Sequence, residues 1–362
     1  MKFTFGNLPT IGWRERTARL VDLAVRAEAA GFDRFGVSDW KFYQDCFVVM
    51  TATLQATSAL EVESLVTEPY TRNPAITAAA FATMDDLSDG RAILGIGAGV
   101  ESSTRVWTAP WGHERPHPVE AVREAVDVCR RMWRGEEVTL DGEVVRVAGA
   151  KLSFAGRPDT RILIAARSPR MMALAGEAAD IVHLASFYVS VPSHRRNIGH
   201  IERGAERAGR RRGSYEIDIS MPCSVSDDGR AAREAAKRPA AIGILWTAAA
   251  DEYALRGWRR PDDFRVPDDL VRSLSGWNFR QQPALPAELA ASISDEILEQ
   301  FALAGTPEEC AAKLRDVQRA LPEVTGVRIY AVPPLPHGKP QYDGYVDMMD
   351  GLGRMIELVN AG

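Results

Sequence analysis

The sequence predicts an α/β protein, a (β/α)8 TIM barrel with a long insertion between strands seven and eight. Apolar strands alternate with amphipathic helices along most of the 362 residues, and this alternation is typical of a parallel sheet crossed by helices. Eight such strands favour a closed barrel over an open doubly wound sheet. The length also allows two ordinary domains, but the pattern favours one domain over 1–362 with an insertion or lid at about 238–297.

The first half of the chain contains four of the predicted strands. The helices between them are rich in apolar residues, and glycines follow two of these helices where a left-handed residue is needed to end them. The predicted strands are 2–7, 32–39, 59–67 and 91–97, and the predicted helices are 14–30, 44–59 and the segment from 74 to Gly90.

The segment 63–101 contains the clearest strand–helix–strand unit. Asn73 is a typical N-cap, and Pro74 suits the first helical position, where its missing N–H is not needed. Short joints on both sides of the helix require parallel strands and a right-handed crossover. Gly97 and Gly99 then follow the second strand, where the backbone can approach a ligand closely.

The second half repeats the pattern with two interruptions. Asp141-Gly142 between alternating runs predicts a β-hairpin, and the stretch 251–294 is irregular and rich in Trp, Arg and Pro, as lids and interfaces often are. Thr306 and Glu309 form a capping box that restarts the regular pattern. The predicted strands are 161–166, 180–186, 215–223 and 326–332, and the helices are 118–135, 229–246, 342–359, one from Pro169 and one from about His194.

The composition excludes several kinds of partner. The chain is 46% hydrophobic and 26% charged with a formal net charge of −5, and nothing in this balance favours nucleic acid. No apolar run is long enough to span a membrane, and the first residues lack the apolar region of a signal peptide. The four cysteines are scattered without C-x-x-C or histidine at metal spacing, so we expect a cytoplasmic protein without a metal site.

The residues at the carboxyl ends of the predicted strands are mostly small and apolar. A barrel carries its functional site at this face, and such a lining suits a flat aromatic cofactor better than a hydrolytic triad or a metal. Asp39 is the carboxylate that stands out, as a general acid or a hydrogen-bond partner of a cofactor, with a cap for the next turn as the alternative. His183 alternates with strand neighbours and is expected to be a satisfied core histidine.

One segment is a candidate for binding a phosphate group, and a second, glycine-rich segment is not. Ala166-Arg167-Ser168-Pro169-Arg170 combines a helix N-terminus with two arginines, which suits an anion, although an ordinary Ser-Pro cap explains the pattern equally well. The run GIGAG at 95–99 lacks the G-x-G-x-x-G spacing and an acidic residue at the ribose offset, so an NAD fingerprint is not expected.

Four segments together resemble the bacterial-luciferase-like flavin and deazaflavin barrel family. They are VTEPYTRNPAITAAAFATMDDLSDGRAILGIGAG, HPVEAVREAVDVCRRMWRGEEV, ILIAARSPRMMALAGEAADIV and FALAGTPEECAAKL. The resemblance covers most of 1–235 and resumes after about 298. Its closer match is the branch of methylenetetrahydromethanopterin reductase-like enzymes that use coenzyme F420.

The resemblance implies a binding site for F420, or alternatively FMN, at the carboxyl face of the barrel. It implies a non-prolyl cis peptide near Leu65-Val66, glycines near the ring at the end of strand four and a phosphate site in the turn before the helix at 169. It also implies a homodimer. The cofactor-binding residues expected from the strand ends and the resemblance together are Asp39, Leu65, Val66, Thr67, Glu68, Gly97, Ala98, Gly99, Ala165, Ala166, Arg167, Ser168 and Pro169.

The function expected from these observations is that of an F420-dependent reductase. It would pass hydride between the deazaflavin and a C=C or C=N bond of a small-molecule substrate, with Asp39 or Glu101 supplying a proton. Trp40 stands where many F420-dependent dehydrogenases of the family carry a histidine, so alcohol oxidation by that mechanism is not favoured. An FMN-dependent monooxygenase and a non-catalytic flavin-binding barrel are the alternatives.

Overall fold

The computed structural model describes residues 1–6, 17–40, 43–99, 117–185, 188–248, 261–277, 284–335 and 341–362. None of the helices in these ranges is long and apolar enough to cross a membrane. The strands, in chain order, are β1 Lys2–Gly6, β2 Arg34–Val37, β3 Glu61–Ser64, β4 Ala92–Ile96, β5 Val138–Asp141, β6 Arg146–Ala150, β7 Arg161–Ala166, β8 Ile181–Leu184, β9 Glu216–Val225, β10 Leu303–Gly305 and β11 Gly326–Ala331.

Eight of these strands close into a parallel barrel, which confirms the predicted (β/α)8 fold. Around the barrel the order is β1, β2, β3, β4, β7, β8, β9, β11 and back to β1. The pairing of β8 with β9, in which Ile181 lies opposite Glu216, completes the ring. Because all these strands run in the same direction, their carboxyl ends meet at one face of the molecule.

The helices follow the strands as the sequence predicts, with small differences at their ends. Asn73 accepts a hydrogen bond from the Ala75 N–H, and Gly90 has a φ of 86°, so both predicted ends of that helix are confirmed. The helices are α1 Thr17–Ala29, α2 Cys46–Ala56, α3 Pro74–Ser88, α4 Pro118–Trp133, α5 Pro169–Ala178, α6 Val191–Arg207, α7 Gly229–Ala248, α8 Asp268–Ser275, α9 Ala287–Ala291, α10 Asp295–Leu298, α11 Pro307–Ala320 and α12 Gln341–Asn360.

The crossover from β9 to β11 differs from its prediction. The stretch 251–294 is expected to be irregular, but α8 and α9 lie within it. Leu270 and Leu274 of α8 pack with Trp277 and Phe301 in an apolar cluster separate from the main core. These helices are too short for a strong periodic signal, which is why the prediction is wrong there. The sequence also does not predict β10, whose few residues pair with the end of β9.

The hairpin of β5 and β6 has a longer turn than a two-residue loop at Asp141-Gly142. Gly142 donates its N–H to the Val145 carbonyl at 3.0 Å. The carboxylate of Glu124 on α4 accepts the N–H groups of residues 143, 144 and 145 at 2.7, 3.0 and 2.8 Å. The wider turn is therefore held by the helix, because one carboxylate satisfies three turn donors that need partners.

Charged side chains fill the part of the barrel nearer the amino ends of its strands. Arg34, Glu63, Asp218 and Arg328 are fully buried. Asp218 accepts hydrogen bonds from Arg34 at 3.1 Å and Arg328 at 2.8 Å, and Arg328 also pairs with Glu63. The two cations and two anions balance, as buried charges require. This group, which we call the ionic plug, leaves the carboxyl face as the end of the barrel where a ligand can bind.

Candidate functional site

Apolar residues line the barrel interior beside the ionic plug and at the carboxyl ends of β3, β4 and β7. The inner cluster consists of three buried aliphatic residues, Ile93, Leu163 and Ile181. Val66 and Ala165 pack against this cluster. A Cβ atom added to Gly97 would lie 3.0 Å from Val66 Cγ2 and 3.5 Å from the Ala165 Cβ. Val66, Gly97 and Ala165 are therefore neighbours, and we call these three residues the floor.

After β3 ends at Ser64, the chain leaves the regular strand pairing for two residues, and Thr67 then pairs with Ile96 of β4. We call the segment 65–67 the joint. The peptide bond between Leu65 and Val66 is cis, as the resemblance implies. Leu65 donates its N–H to the Val37 carbonyl at 2.7 Å, whereas the Thr67 N–H bonds to the Gly95 carbonyl at 2.9 Å. These two hydrogen bonds attach the joint to β2 on one side and to β4 on the other.

Gly95 allows β4 to approach this joint closely. A Cβ atom on Gly95 would lie 1.8 Å from the Ser64 carbonyl oxygen, which is far inside van der Waals contact. The Ser64 hydroxyl donates to the Gly95 carbonyl at 2.7 Å and accepts the Gly95 N–H at 2.9 Å. The glycine at this position is therefore needed for the shape of the site, whatever binds there.

Asp39 lies beside the joint and is only 6% exposed. Its Oδ2 accepts a hydrogen bond from the Thr67 hydroxyl at 2.6 Å and from Arg72 Nε at 3.4 Å. The cap of α2 is Asp45, whose side chain accepts two N–H groups of the first turn. Asp39 thus connects the ends of β2 and β3 at one side of the floor.

Arg72 is a part of the site that sequence reasoning misses. Besides Asp39 it contacts Asp45, with 2.7 Å between Nη2 and Oδ2, and its guanidinium lies 4.2 Å from the centre of the Phe47 ring. Partial burial favours the neutral acid, but the hydrogen bond from Arg72 helps to outweigh it and lowers the pKa of Asp45. The single arginine in VTEPYTRNP does not indicate a site residue in the sequence, because the partners of Arg72 depend on how this loop folds back onto the end of β2.

Glu68 holds the loop after the joint in shape. It is 5% exposed and accepts the backbone N–H groups of Tyr70 at 2.6 Å and Thr71 at 3.1 Å, together with the Thr71 hydroxyl. A carboxylate with several donors from its own loop fixes that loop's conformation. Glu68 therefore stabilises the loop that follows the cis peptide.

The turn between β7 and α5 presents a helix N-terminus to the same face. Ser168 caps α5 by accepting the Met171 N–H at 3.3 Å, and Pro169 occupies the first turn. Arg167 donates from Nε to the Ala185 carbonyl at 3.0 Å, and its guanidinium lies 5.1 Å from the centre of the Trp246 ring on α7. Arg170 is exposed. Arg167 is therefore the arginine of this turn that reaches across the strand ends.

His183 is buried, but the prediction that it is satisfied is wrong. It is 2% exposed, and neither ring nitrogen has a hydrogen-bond partner among the described residues. Burial, with a smaller contribution from the positive charge of Arg167, lowers the pKa of His183 to about 3. The imidazole is therefore neutral at physiological pH and offers one unused donor and one unused acceptor.

Comparison with known proteins identifies the family. A family model described as "Luciferase-like monooxygenase" matches residues 3–323. The chain belongs to the luciferase-like monooxygenase family. This result confirms the family resemblance of the sequence, and the match extends over the barrel from β1 to β9 and ends before β11.

The chain is similar to several named proteins, among them F420-dependent enzymes. It is 29% identical over 305 residues to a 5,10-methylenetetrahydromethanopterin reductase of Methanolobus tindarius, covering 83% of this chain and 86% of that protein. It is 34% identical over 220 residues to an F420-dependent glucose-6-phosphate dehydrogenase of Mycolicibacterium fortuitum, covering 58% of this chain and 65% of that protein. The solved coenzyme F420-dependent tetrahydromethanopterin reductase of Methanopyrus kandleri superposes with a TM-score of 0.76 at 23% identity, covering 97% of both chains.

The structure brings most of the predicted site residues of this luciferase-like chain to one face. The strand ends after β2, β3, β4 and β7 carry them, together with the turn before α5. Glu101 lies outside the described residues. Within the described ranges, no three His, Cys, Asp or Glu side chains stand close enough to hold a metal ion. The residues placed at the face are Asp39, Leu65, Val66, Thr67, Glu68, Gly97, Ala98, Gly99, Ala165, Ala166, Arg167, Ser168 and Pro169.

Proposed function

We propose that the chain is a coenzyme F420-dependent oxidoreductase. Its expected activity is that of a reductase, which transfers hydride between the deazaflavin and a C=C or C=N bond of a small organic substrate. The observation that carries the proposal is the floor, a small-residue apolar surface beside a helix N-terminus, in a barrel whose relatives include F420-dependent enzymes. A flat ring with a phosphate-bearing tail requires these two features side by side.

The residues present suit such a cofactor. A Cβ atom at Gly97 would crowd Val66 at 3.0 Å, so the glycine keeps the surface of the floor flat where a ring would lie. The floor, with Leu65, Ala98 and Gly99, would hold the ring, while the turn from Ala166 to Pro169 would hold the phosphate through its free N–H groups and Arg167. When bound, the deazaflavin supplies the hydride.

The chain's own residues orient the ring and exclude water beneath it. The ionic plug and the inner cluster are buried, so a substrate would approach the ring from the carboxyl face. Asp39, Thr67 and Glu68 form the polar border of the floor. We assign the proton that completes the reduction to Asp39 or Glu101, the carboxylates that follow β2 and β4 in the sequence.

A substitution at Gly97 tests the proposal. In Gly97→Val, the added methyl groups would occupy the ring's place, so we expect the affinity for F420 to fall at least tenfold, as measured by quenching of F420 fluorescence. The matched control is Gly199→Val on α6, where a Cβ atom meets only the end of the Arg203 side chain at 3.4 Å. Equal affinities of the wild type and Gly97→Val, with both folded by circular dichroism, would contradict the proposed site.

We also propose that two copies of the chain associate through α2 and α3, which pack side by side at the surface. Val48 on α2 is 65% exposed, and Ile76 and Leu87 on α3 are 70% and 47% exposed. Neither helix has a lysine or arginine, and Asp86 is the exposed charged residue of α3. An apolar face with few charges is typical of an interface between subunits.

The remaining expectations are also proposals. We infer that the chain is one barrel domain over 1–362, with residues 238–297 contributing a lid that includes α8 and the end of α7. A cytoplasmic location is supported by the four cysteines, which are all free and buried. FMN-dependent monooxygenation and a non-catalytic flavin-binding role are the alternatives, and titration of the chain with both cofactors separates the first of them from the leading proposal.

A further inference from the structure

The side chain of His183 points into the barrel at the level of the floor. Along β8, Val182 and Leu184 pack in the outer core, whereas Ile181 belongs to the inner cluster. Side chains alternate along a strand, so His183 shares the inner side with Ile181. His183 is also two residues closer to the carboxyl face, which places it on the open side of that cluster.

The strand register makes His183 the next member of the floor. Ala165 of β7 lies directly opposite His183 of β8 in the parallel pairing. On its other side Ala165 neighbours Gly97, as the 3.5 Å distance to an added Cβ shows. Val66, Gly97, Ala165 and His183 therefore follow one another around the inner wall, and the first three have small apolar side chains or none.

The imidazole of His183 lacks the partners that a buried polar group needs. Its neighbour in register on β9, Asp218, accepts both arginines of the ionic plug at Oδ2, and its Oδ1 lies beside Gly326 and makes no hydrogen bond with the imidazole. The Arg167 side chain, whose charge reaches His183 from the end of β7, donates to the Ala185 carbonyl. A buried donor or acceptor without a partner is unfavourable, so such a group in a folded protein calls for an explanation. A ligand on the floor would provide the missing partner.

We propose that His183 hydrogen-bonds to the polar edge of the cofactor ring that lies on the floor. This inference rests on the proposed function, because it requires a ring with carbonyl and N–H groups, such as the pyrimidinedione of a deazaflavin. A neutral imidazole presents both a donor and an acceptor and can therefore match either kind of group. Ala165 and Gly97 are small, so no bulky floor residue stands between the imidazole and the ring.

Titration of variants with F420 tests the role of His183. His183→Leu removes the polar atoms at similar size, and we expect the dissociation constant for F420 to rise about tenfold and the absorption maximum of the bound cofactor to shift. His183→Gln retains a donor and an acceptor, and we expect it to recover most of the affinity and the wild-type absorption maximum. The matched control is His194→Leu, since His194 is similarly buried but lies on α6.

A measurement on the wild-type chain complements the variants. The chain is labelled with 15N-histidine and saturated with F420, and we expect the ring nitrogens of one buried, neutral imidazole to change their chemical shifts. The signal is assigned to His183 if it is lost in His183→Gln and retained in His194→Leu. Unchanged histidine signals, or a His183→Leu variant with wild-type affinity and absorption, would overturn the role of His183 alone. A wild-type chain that does not bind F420 at all would instead contradict the proposed function.

Discussion

At the scale of single residues, the site depends on side chains whose partners come from other loops. Asp39 illustrates this, because its carboxylate joins Thr67 to Arg72 across the ends of β2 and β3. The sequence can predict that Asp39 follows a strand at the functional face. It cannot predict Arg72, since the pair is formed by residues 33 positions apart whose loops meet only in the folded barrel.

The carboxylate of Asp39 is expected to contribute more to the binding of F420 than the carboxylate of Asp45, which also binds Arg72. In Asp39→Asn the buried hydrogen bond and ion pair weaken, so we expect the affinity for F420 to fall about tenfold. Asp45→Asn is the control, because asparagine remains a good N-cap and the Asp45 side chain is 46% exposed. Fluorescence titration of both variants measures the difference, and equal losses in the two would refute a special role for Asp39.

At the scale of secondary-structure elements, the caps are predictable and the close contacts are not. A helix cap is a local interaction and can therefore be predicted from the sequence. The structure confirms the predicted caps Asn73, Ser168 and Thr306. The approach of β4 to the end of β3 is a contact between separate elements. The sequence shows Gly95, but only the fold shows that the Ser64 carbonyl occupies the place of its Cβ.

Gly95 of β4 is expected to tolerate no side chain, because the end of β3 lies directly against it. Gly95→Ala would press a methyl group against the backbone of Ser64, and we expect it to lower the free energy of unfolding by about 2 kcal/mol or more. Gly353→Ala on α12, where the nearest atom to a Cβ is 3.4 Å away, is the matched control and should be close to neutral. Urea denaturation followed by circular dichroism gives both values, and a Gly95→Ala protein as stable as the wild type would show that the joint can relax.

The apolar face of α2 and α3 makes a separate prediction about association. Ile76→Glu places a charge within the proposed interface, so we expect the mutant to elute as a monomer where the wild type elutes as a dimer. Phe154→Glu is the control, because Phe154 is 44% exposed but lies outside these helices. Size-exclusion chromatography with light scattering reads the mass directly, and a wild-type monomer would remove the basis of the proposal.

At the scale of the whole molecule, the barrel can be predicted because its strands and helices alternate regularly along the sequence. Its filling cannot. The charged residues of the ionic plug look like ordinary surface charges in the sequence, yet they lie inside the barrel and neutralise one another there. Buried charges become favourable only when partners from several strands meet, and that condition is visible only in the closed barrel.

The central claim is that this luciferase-like barrel uses F420, and a direct comparison of cofactors tests it most simply. The purified chain is titrated with oxidised F420 and, separately, with FMN, and binding is followed by quenching of cofactor fluorescence. We predict saturable binding of F420 in the micromolar range or tighter, and binding of FMN at least tenfold weaker. Micromolar binding of FMN without binding of F420 would contradict the claim.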